Sequence, residues 1–340
     1  MPELPEVETI RRGLSRLIIG QTIVDATHDT PKSFPNAPDE VNTFLIGARI
    51  TAVRRRAKVL LIDLSTNYTL VIHLKMTGQL VFIKEGLTPP LDSEVNSESS
   101  LHPLKLVRST RIDDRDIAYQ ASSLKSPDSQ NDVMRRFGGG HPNDSLVGSL
   151  PDKSTRVEIT FQGGSKLFFN DQRKFGWMRL IPTISVPEID FMKRVGPEPL
   201  EDSFTADEFI SRIRRRNNTT IKAAILDQTV LAGVGNIYAD ESLWGANIHP
   251  ASRVRDISDK KLAQLLIEIK YVMNLSIEKG GSTDRNYVNA EGKKGSYIDF
   301  ARVFRQEGKA CPRCGITIEK TRIAGRGTHI CPHCQMAPVE

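Results

Sequence analysis

The sequence predicts an α+β multidomain protein, and three observations carry that prediction. Short apolar runs separated by turn residues fill the first half, helix-period apolar stretches follow residue 203, and all four cysteines sit in the last thirty residues. At 340 residues, 39% hydrophobic and 26% charged, the chain has globular composition and is too long for one simple core. No run approaches the ~18 consecutive apolar residues of a membrane span. The start MPELPEVETIRRGL has neither the basic lead nor the apolar stretch of an export signal. The expectation is a soluble, cytoplasmic protein with no membrane partner.

Residues 5 to about 19 are predicted to be helical. Pro5 suits an early helical position, Glu6 and Glu8 suit the positive end of the helix dipole, and Val7, Ile10, Leu14, Leu17 and Ile18 share one face. Between Ile50 and Ile83 the runs VLLIDL, TLVIHLKM and QLVFI, punctuated by STNY and TG, predict antiparallel strands. RVEITF, the Gly163–Gly164 turn and KLFFN continue the pattern, so a β-rich domain ends near residue 183. Residues 86–150 interrupt it with eleven serines, two aromatics and clusters such as PPLDSEVNSESS and FGGGHPND. So little apolar material predicts a surface insertion, flexible at least in part.

Residues 184–202 read as a linker. Beyond it, Ser203 or Thr205 is placed to cap ADEFISRIRRR, Thr220 to cap IKAAILDQ, and SDKKLAQLLIEIKYVMNLSIEK is a long amphipathic stretch. In LAGVGNIYADE, Gly233 and Gly235 permit a tight turn and Asn236 is placed to cap the next helix. Such a turn aims backbone N–H groups at phosphate, although a plain helix hairpin uses the same glycines. Cys311-x2-Cys314 and Cys331-x2-Cys334 stand sixteen residues apart, the spacing that wraps four thiolates around one Zn2+; two disulfides are the alternative. Between the pairs, ITIEKTRIAGRGTHI suggests a hairpin with Arg322 and Arg326 near a glycine-flanked tip. A net charge of +6 and the clusters Arg11, Arg12, Arg16, then Arg54, Arg55, Arg56, Lys58, then Arg212, Arg214, Arg215, Arg216 favour an anionic partner. Solvated faces are the alternative.

Six separated motifs then converge. MPELPEVET, HLKMTGQL, NDQRKFG, DQTVLAGVGNIYADE, GGST followed by YVN, and GRGTHICPHCQ resemble the bacterial formamidopyrimidine-DNA glycosylase (8-oxoguanine DNA glycosylase) family, over essentially the whole chain outside 86–150. The resemblance implies an N-terminal β-sandwich with flanking helices over 2–183. It implies a helix-two-turn-helix DNA-binding domain with a lesion-covering loop over 203–300, and over 301–336 a four-cysteine zinc finger with one structural Zn2+. It further implies a monomer acting on double-stranded DNA containing damaged bases: excision of oxidised purines (8-oxoguanine, formamidopyrimidines), then β,δ-elimination at the abasic site. Endonuclease VIII-type relatives usually carry glycine where this chain has Leu4, which favours the oxidised-purine branch over oxidised pyrimidines. A catalytically silent zinc-finger DNA-binding protein is the alternative from another class.

In the mechanism that the resemblance implies, loss of Met1 exposes the secondary amine of Pro2. A free α-amine titrates at roughly 7.7–8.0, so part of it is unprotonated at neutral pH. This amine attacks C1′ of the damaged nucleotide, Glu3 is the general acid, Glu6 supports the site, and Lys58 contacts the neighbouring phosphate and assists the first elimination. His73, Asn236 and Arg326 match further phosphate contacts, and Met76, Arg173 and Phe175 match residues that fill the gap left by the flipped nucleotide. Taken alone, these residues have plainer readings: helix-start acids, a strand histidine, a helix cap, core packing. After GGST the chain continues Asp284-Arg285-Asn286-Tyr287, where many family members begin with an apolar residue, a difference that bears on which oxidised purine is preferred.

Overall fold

In the computed structural model, which describes residues 2–85, 136–141, 144–146, 148–281 and 297–338, helix α1 (Leu4–Leu17) begins with Glu3 as N-cap and Pro5 in its first turn. Strand β1 (Ile23–His28), helix α2 (Pro38–Phe44) and strands β2 (Ile50–Arg56), β3 (Val59–Leu64), β4 (Tyr68–His73) and β5 (Gly78–Ile83) follow. Next come β6 (Arg136–Gly140), β7 (Thr155–Phe161), β8 (Lys166–Asp171) and β9 (Trp177–Pro182). Among the described residues these strands make two antiparallel sheets, in the orders β2-β3-β4-β9 and β1-β7-β8-β5-β6. The sheets form a sandwich: Leu60, Ile62, Leu70 and Ile72 of the first share one core with Leu80, Phe82, Ile159 and Phe169 of the second, joined by Val7, Ile10 and Leu14 of α1.

β3 and β4 are nearly continuous apolar runs because both of their faces are covered. Val59, Leu61 and Val71 point away from the sandwich, against Val186, Ile189 and Phe191. The segment expected to be a linker is therefore packed on the sheet's outer face, through a 3-10 turn (Thr183–Glu188) and α3 (Asp190–Arg194).

The expected insertion over 86–150 differs at its C-terminal end. Residues 136–140 are strand β6, paired with β5 from Gln79↔Gly140 to Ile83↔Arg136, and Leu146 and Leu150 cover Val81 and Phe168. RFGGG has no β-branched residue, so its composition reads as loop. Its backbone pairing decides otherwise, together with one aromatic, Phe137, buried against Gly13 of α1. Residues 86–135 lie outside the described residues.

Helices α4 (Ala206–Arg214), α5 (Ile221–Leu226), α6 (Asn236–Gly245), α7 (Asp259–Glu278) and α8 (Tyr297–Phe300) build a second core around Phe209, Ile225, Tyr238, Leu265 and Ile269. Thr205, Thr220 and Ser258 cap α4, α5 and α7 with their hydroxyl oxygens, accepting the backbone N–H three residues on. Leu4 belongs to this helical core while Val7 belongs to the sandwich, so α1 is shared by the two halves. A final hairpin, β10 (Glu319–Ile323) and β11 (Arg326–Ile330), turns on Ala324 and Gly325, both at positive φ (50° and 72°), the geometry that suits strand twist. Among the described residues no helix is long and apolar enough to cross a membrane.

If β6 is structural, Phe137→Ala should destabilise the protein by about 3–5 kcal/mol in urea unfolding, as for other buried aromatics. A loss below about 1 kcal/mol would show the strand to be dispensable.

Candidate active site between the two halves

Helix α1 starts in a cleft of about 470 Å³ whose lining includes Pro2, Glu3, Glu6, Lys58, Met76, Asn236 and Arg326. Seven residues singled out from distant parts of the sequence thus meet. The glycine turn before α6 holds them. Leu4 N–H donates to the Gly233 carbonyl (3.1 Å), and a Cβ on Gly233 would come within 2.5 Å of the Leu4 side chain. A Cβ on Gly235 would come 2.2 Å from the Glu3 carboxylate. Both glycines are needed for this close approach.

Gly235, rather than Asn236, is the N-cap of α6. Having no side chain, it leaves the helix-start donors to another group, and Glu3 supplies it: Oε1 accepts the Ile237 N–H (3.3 Å). The Asn236 amide is left to donate to the Gly327 carbonyl in the hairpin (2.9 Å). Glu3 Oε2 is buried with no hydrogen-bond partner among the described residues, as suits an oxygen that carries a transferable proton. Burial raises the Glu3 carboxyl to about 7, with Lys58 opposing and Glu6 reinforcing the shift.

Glu6 Oε2 accepts the Glu3 backbone N–H (2.8 Å) and its Oε1 accepts the Tyr238 hydroxyl (2.5 Å), which lies 2.6 Å from Ser276 Oγ. Lys58 is buried, and its Nζ donates to the Val234 carbonyl (3.0 Å), which also accepts Gln228 Nε2 (2.8 Å). Burial pulls the Lys58 ammonium below its ordinary range, with Glu3 and Glu6 opposing. Gln228 Oε1 accepts the Gly233 N–H (2.9 Å), bracing the turn that both Glu3 and Lys58 use. Tyr238, Ser276 and Gln228 are site residues that sequence reasoning missed. Only the presence of Tyr238 and Gln228 within DQTVLAGVGNIYADE signalled the first and third of these.

The other candidates lie beside the cleft. His73, at the end of β4, sits near the rings of Trp177 and Phe191 (5.9 and 6.0 Å). Burial, then Lys75 and Lys58, push its pKa down to about 3. Its Nδ1 accepts the Lys75 N–H (3.0 Å), so the neutral ring carries its proton on Nε2 and offers a donor, not a cation. Met76, Arg173 and Phe175 form one cluster: Arg173 Nη1 is 3.2 Å from Met76 Sδ and its guanidinium lies 4.8 Å over the Phe175 ring. Met76 is 43% and Phe175 47% exposed, which rules out core packing. Buried Asp171 fixes this loop by accepting the N–H groups of Phe175 (2.8 Å), Gly176 (2.7 Å) and Arg173 (3.2 Å) and the Thr77 hydroxyl.

The hairpin bearing Arg326 is pinned to α5 and α6. Lys222, fully buried, donates to Asp240 (2.6 Å), Thr328 (2.7 Å) and the Gly327 carbonyl (3.1 Å), while Asp240 accepts the His329 N–H (3.0 Å). The other end is closed by the four cysteines, which are free thiols with sulfurs all within 4.8 Å of one another. Tetrahedral Zn–S bonds of about 2.3 Å space sulfurs about 3.8 Å apart. The observed 3.9 Å (Cys311 to Cys334) and 3.4 Å (Cys314 to Cys331) fit such a centre. Burial and neighbouring thiols raise Cys331 and Cys334, a crowding that a bound dication relieves.

The basic clusters stand differently from their sequence reading. Arg11 and Arg12 pair with Glu8, Arg54 with Asp63, Arg55 and Arg56 with Glu198, and Arg212, Arg214 and Arg216 with Glu208, Asp259 and Asp227. Much of their charge is neutralised within the fold. The Asp284–Tyr287 stretch lies outside the described residues.

Three family models match the chain: the formamidopyrimidine-DNA glycosylase N-terminal domain at residues 1–122, the helix-two-turn-helix domain of the same enzymes at 195–287, and a zinc finger found in these enzymes and in IleRS at 308–336. A formamidopyrimidine-DNA glycosylase of Listeria innocua is 34% identical over 336 residues, covering 98% of this chain and 100% of the relative. The Lactococcus lactis Fpg bound to abasic-site DNA superposes with a TM-score of 0.74 at 28% identity, covering 98% of this chain and 100% of the other. A MutM complex with carbocyclic 8-oxo-G DNA gives 0.74 at 28% identity, covering 99% and 100%.

Two outcomes follow from this geometry. Glu3 ionises near 4.5 when unfolded and about 7 when folded, so its ionisation removes stability as pH rises through that window, by roughly 3 kcal/mol at most. Glu3→Gln should therefore gain stability over the parent above pH 7 and gain none at pH 4.5; an equal difference at both pH values in urea unfolding would contradict the burial assigned to Glu3. Removing the metal with a chelator should free the Arg326 hairpin and abolish gel-shift binding to duplex DNA while the sandwich stays folded by circular dichroism. Retained binding without metal would detach the hairpin from DNA recognition.

Proposed function

The chain belongs to the formamidopyrimidine-DNA glycosylase family, and on that premise we propose that Pro2, Glu3, Glu6 and Lys58 carry its chemistry while His73, Met76, Arg173, Phe175, Asn236 and Arg326 grip the DNA. The protein is a base-excision-repair enzyme: a DNA glycosylase with abasic-site lyase activity that removes oxidised purines from duplex DNA. It holds one structural zinc through Cys311, Cys314, Cys331 and Cys334.

The observation that carries the assignment of residues is the buried Glu3 carboxyl, near pKa 7, in one cleft with Pro2 and Lys58. Once Met1 is removed, the Pro2 nitrogen attacks C1′ and the glycosidic bond breaks, its electron pair leaving with the base. As the sugar opens, O4′ takes a proton from Glu3, and loss of the nitrogen proton gives an iminium at C1′. A carboxyl near 7 is partly protonated at neutral pH, so it can give a proton and later take one back. The iminium acidifies C2′; proton loss there expels the 3′ phosphate, and a second elimination expels the 5′ phosphate. Lys58, anchored on the Val234 carbonyl, meets the phosphate beside the lesion, and Asn236 and Arg326 meet the backbone from the helical side. The Met76, Arg173 and Phe175 cluster occupies the space vacated in the stack.

We read the protein as acting as a monomer. Four free metal-binding thiols suit a reducing compartment and support a cytoplasmic location.

A duplex with a single 8-oxoguanine should be cut to leave 3′- and 5′-phosphate ends, and Glu3→Gln should slow excision by about 10²-fold or more. Faster release of an oxidised pyrimidine than of 8-oxoguanine would overturn the substrate class, and an undiminished Glu3→Gln would overturn the acid.

A further inference from the structure

The end of strand β6 brings into the cleft a residue to which no motif pointed. Gly140 and His141 line the same space as Pro2, Glu3 and Met76. Their backbone fixes the approach. The His141 N–H donates to the Gly78 carbonyl (3.0 Å), and the His141 carbonyl accepts the Gln79 side-chain amide. Gly140, at φ +125°, lies so close to β5 that a Cβ would stand 2.3 Å from the Gly78 oxygen. Gly78 is two residues from Met76, so this clamp sets His141 beside the turn that carries the gap-filling methionine.

Both main-chain polar groups of His141 are committed to β5, and the residue stands half-buried in the wall of the cleft. An imidazole presents hydrogen-bonding ring nitrogens and a flat face. An oxidised purine offers the complementary acceptor and donor edges and a plane to stack on. The ring also rides on a rigid element, since β6 is paired along its length with β5 and anchored on α1 by Phe137.

We infer that His141 is a specificity-determining residue that contacts the damaged base in the cleft. This rests on the reading that the cleft receives the damaged nucleotide. The test uses full-length, zinc-loaded protein and His141→Ala and His141→Gln variants on two duplexes, one with a single 8-oxoguanine and one with a preformed abasic site. Only the first presents a base to the imidazole. His141→Ala should lower kcat/KM on 8-oxoguanine about tenfold while abasic-site cutting stays within about twofold, and His141→Gln, which keeps hydrogen-bonding capacity, should fall between. Unchanged excision overturns the inference. So does an equal loss on both substrates, which assigns His141 a structural role that a drop in thermal midpoint would also register. A parent protein that cuts neither duplex fails the proposed function itself and takes this inference with it.

Discussion

The seating of Glu3 on the glycine turn before α6 is the contact on which the rest of the site depends. Through it the second residue of the chain is delivered to the boundary between two cores, with Leu4 inserted in the helical one and Val7 in the sandwich. One carboxylate then does two things. It satisfies a helix-start N–H that Gly235 cannot, and it stands buried in the same cleft as Pro2. A side chain at Gly235 would occupy the position of that carboxylate.

The same enclosure sets the electrostatics. Taking Glu3 and Lys58 out of water disfavours the charged form of each, raising the acid and lowering the ammonium, while their mutual attraction offsets part of both shifts. The result is an acid that exchanges protons near neutrality beside a lysine tied to the backbone of the same turn. Lys222, Asp240 and the four-thiol centre serve this arrangement at one remove, fixing the hairpin whose Gly327 carbonyl accepts from Asn236.

The elements legible in the sequence were those specified locally. Thr205, Thr220 and Ser258 announce their helices because a cap needs only a residue and its neighbours. VLLIDL reads as a strand because both faces are covered, and the cysteine spacing encodes a tetrahedron. What the sequence hid was non-local. Asn236 reads as a cap because nothing near it shows that a glutamate 233 positions earlier takes that duty. RFGGG reads as loop because its glycines mark close approach to β5, and Phe137 finds its place only against Gly13. The arginine clusters read as favouring an anionic partner because their carboxylate partners lie on other elements. His73 reads as a phosphate contact or a strand histidine, and only its burial shows that the ring is neutral.

The central claim is that the N-terminal proline is the nucleophile, and trapping its covalent intermediate tests it most directly. Met1-processed protein is mixed with a duplex containing one 8-oxoguanine, reduced with borohydride, digested and mapped by mass spectrometry. An iminium becomes a stable amine under these conditions, so the account predicts a sugar adduct on the Pro2 nitrogen, and none in protein that retains Met1. Strand cleavage without an adduct, or an adduct carried by Lys58 in place of Pro2, would contradict it.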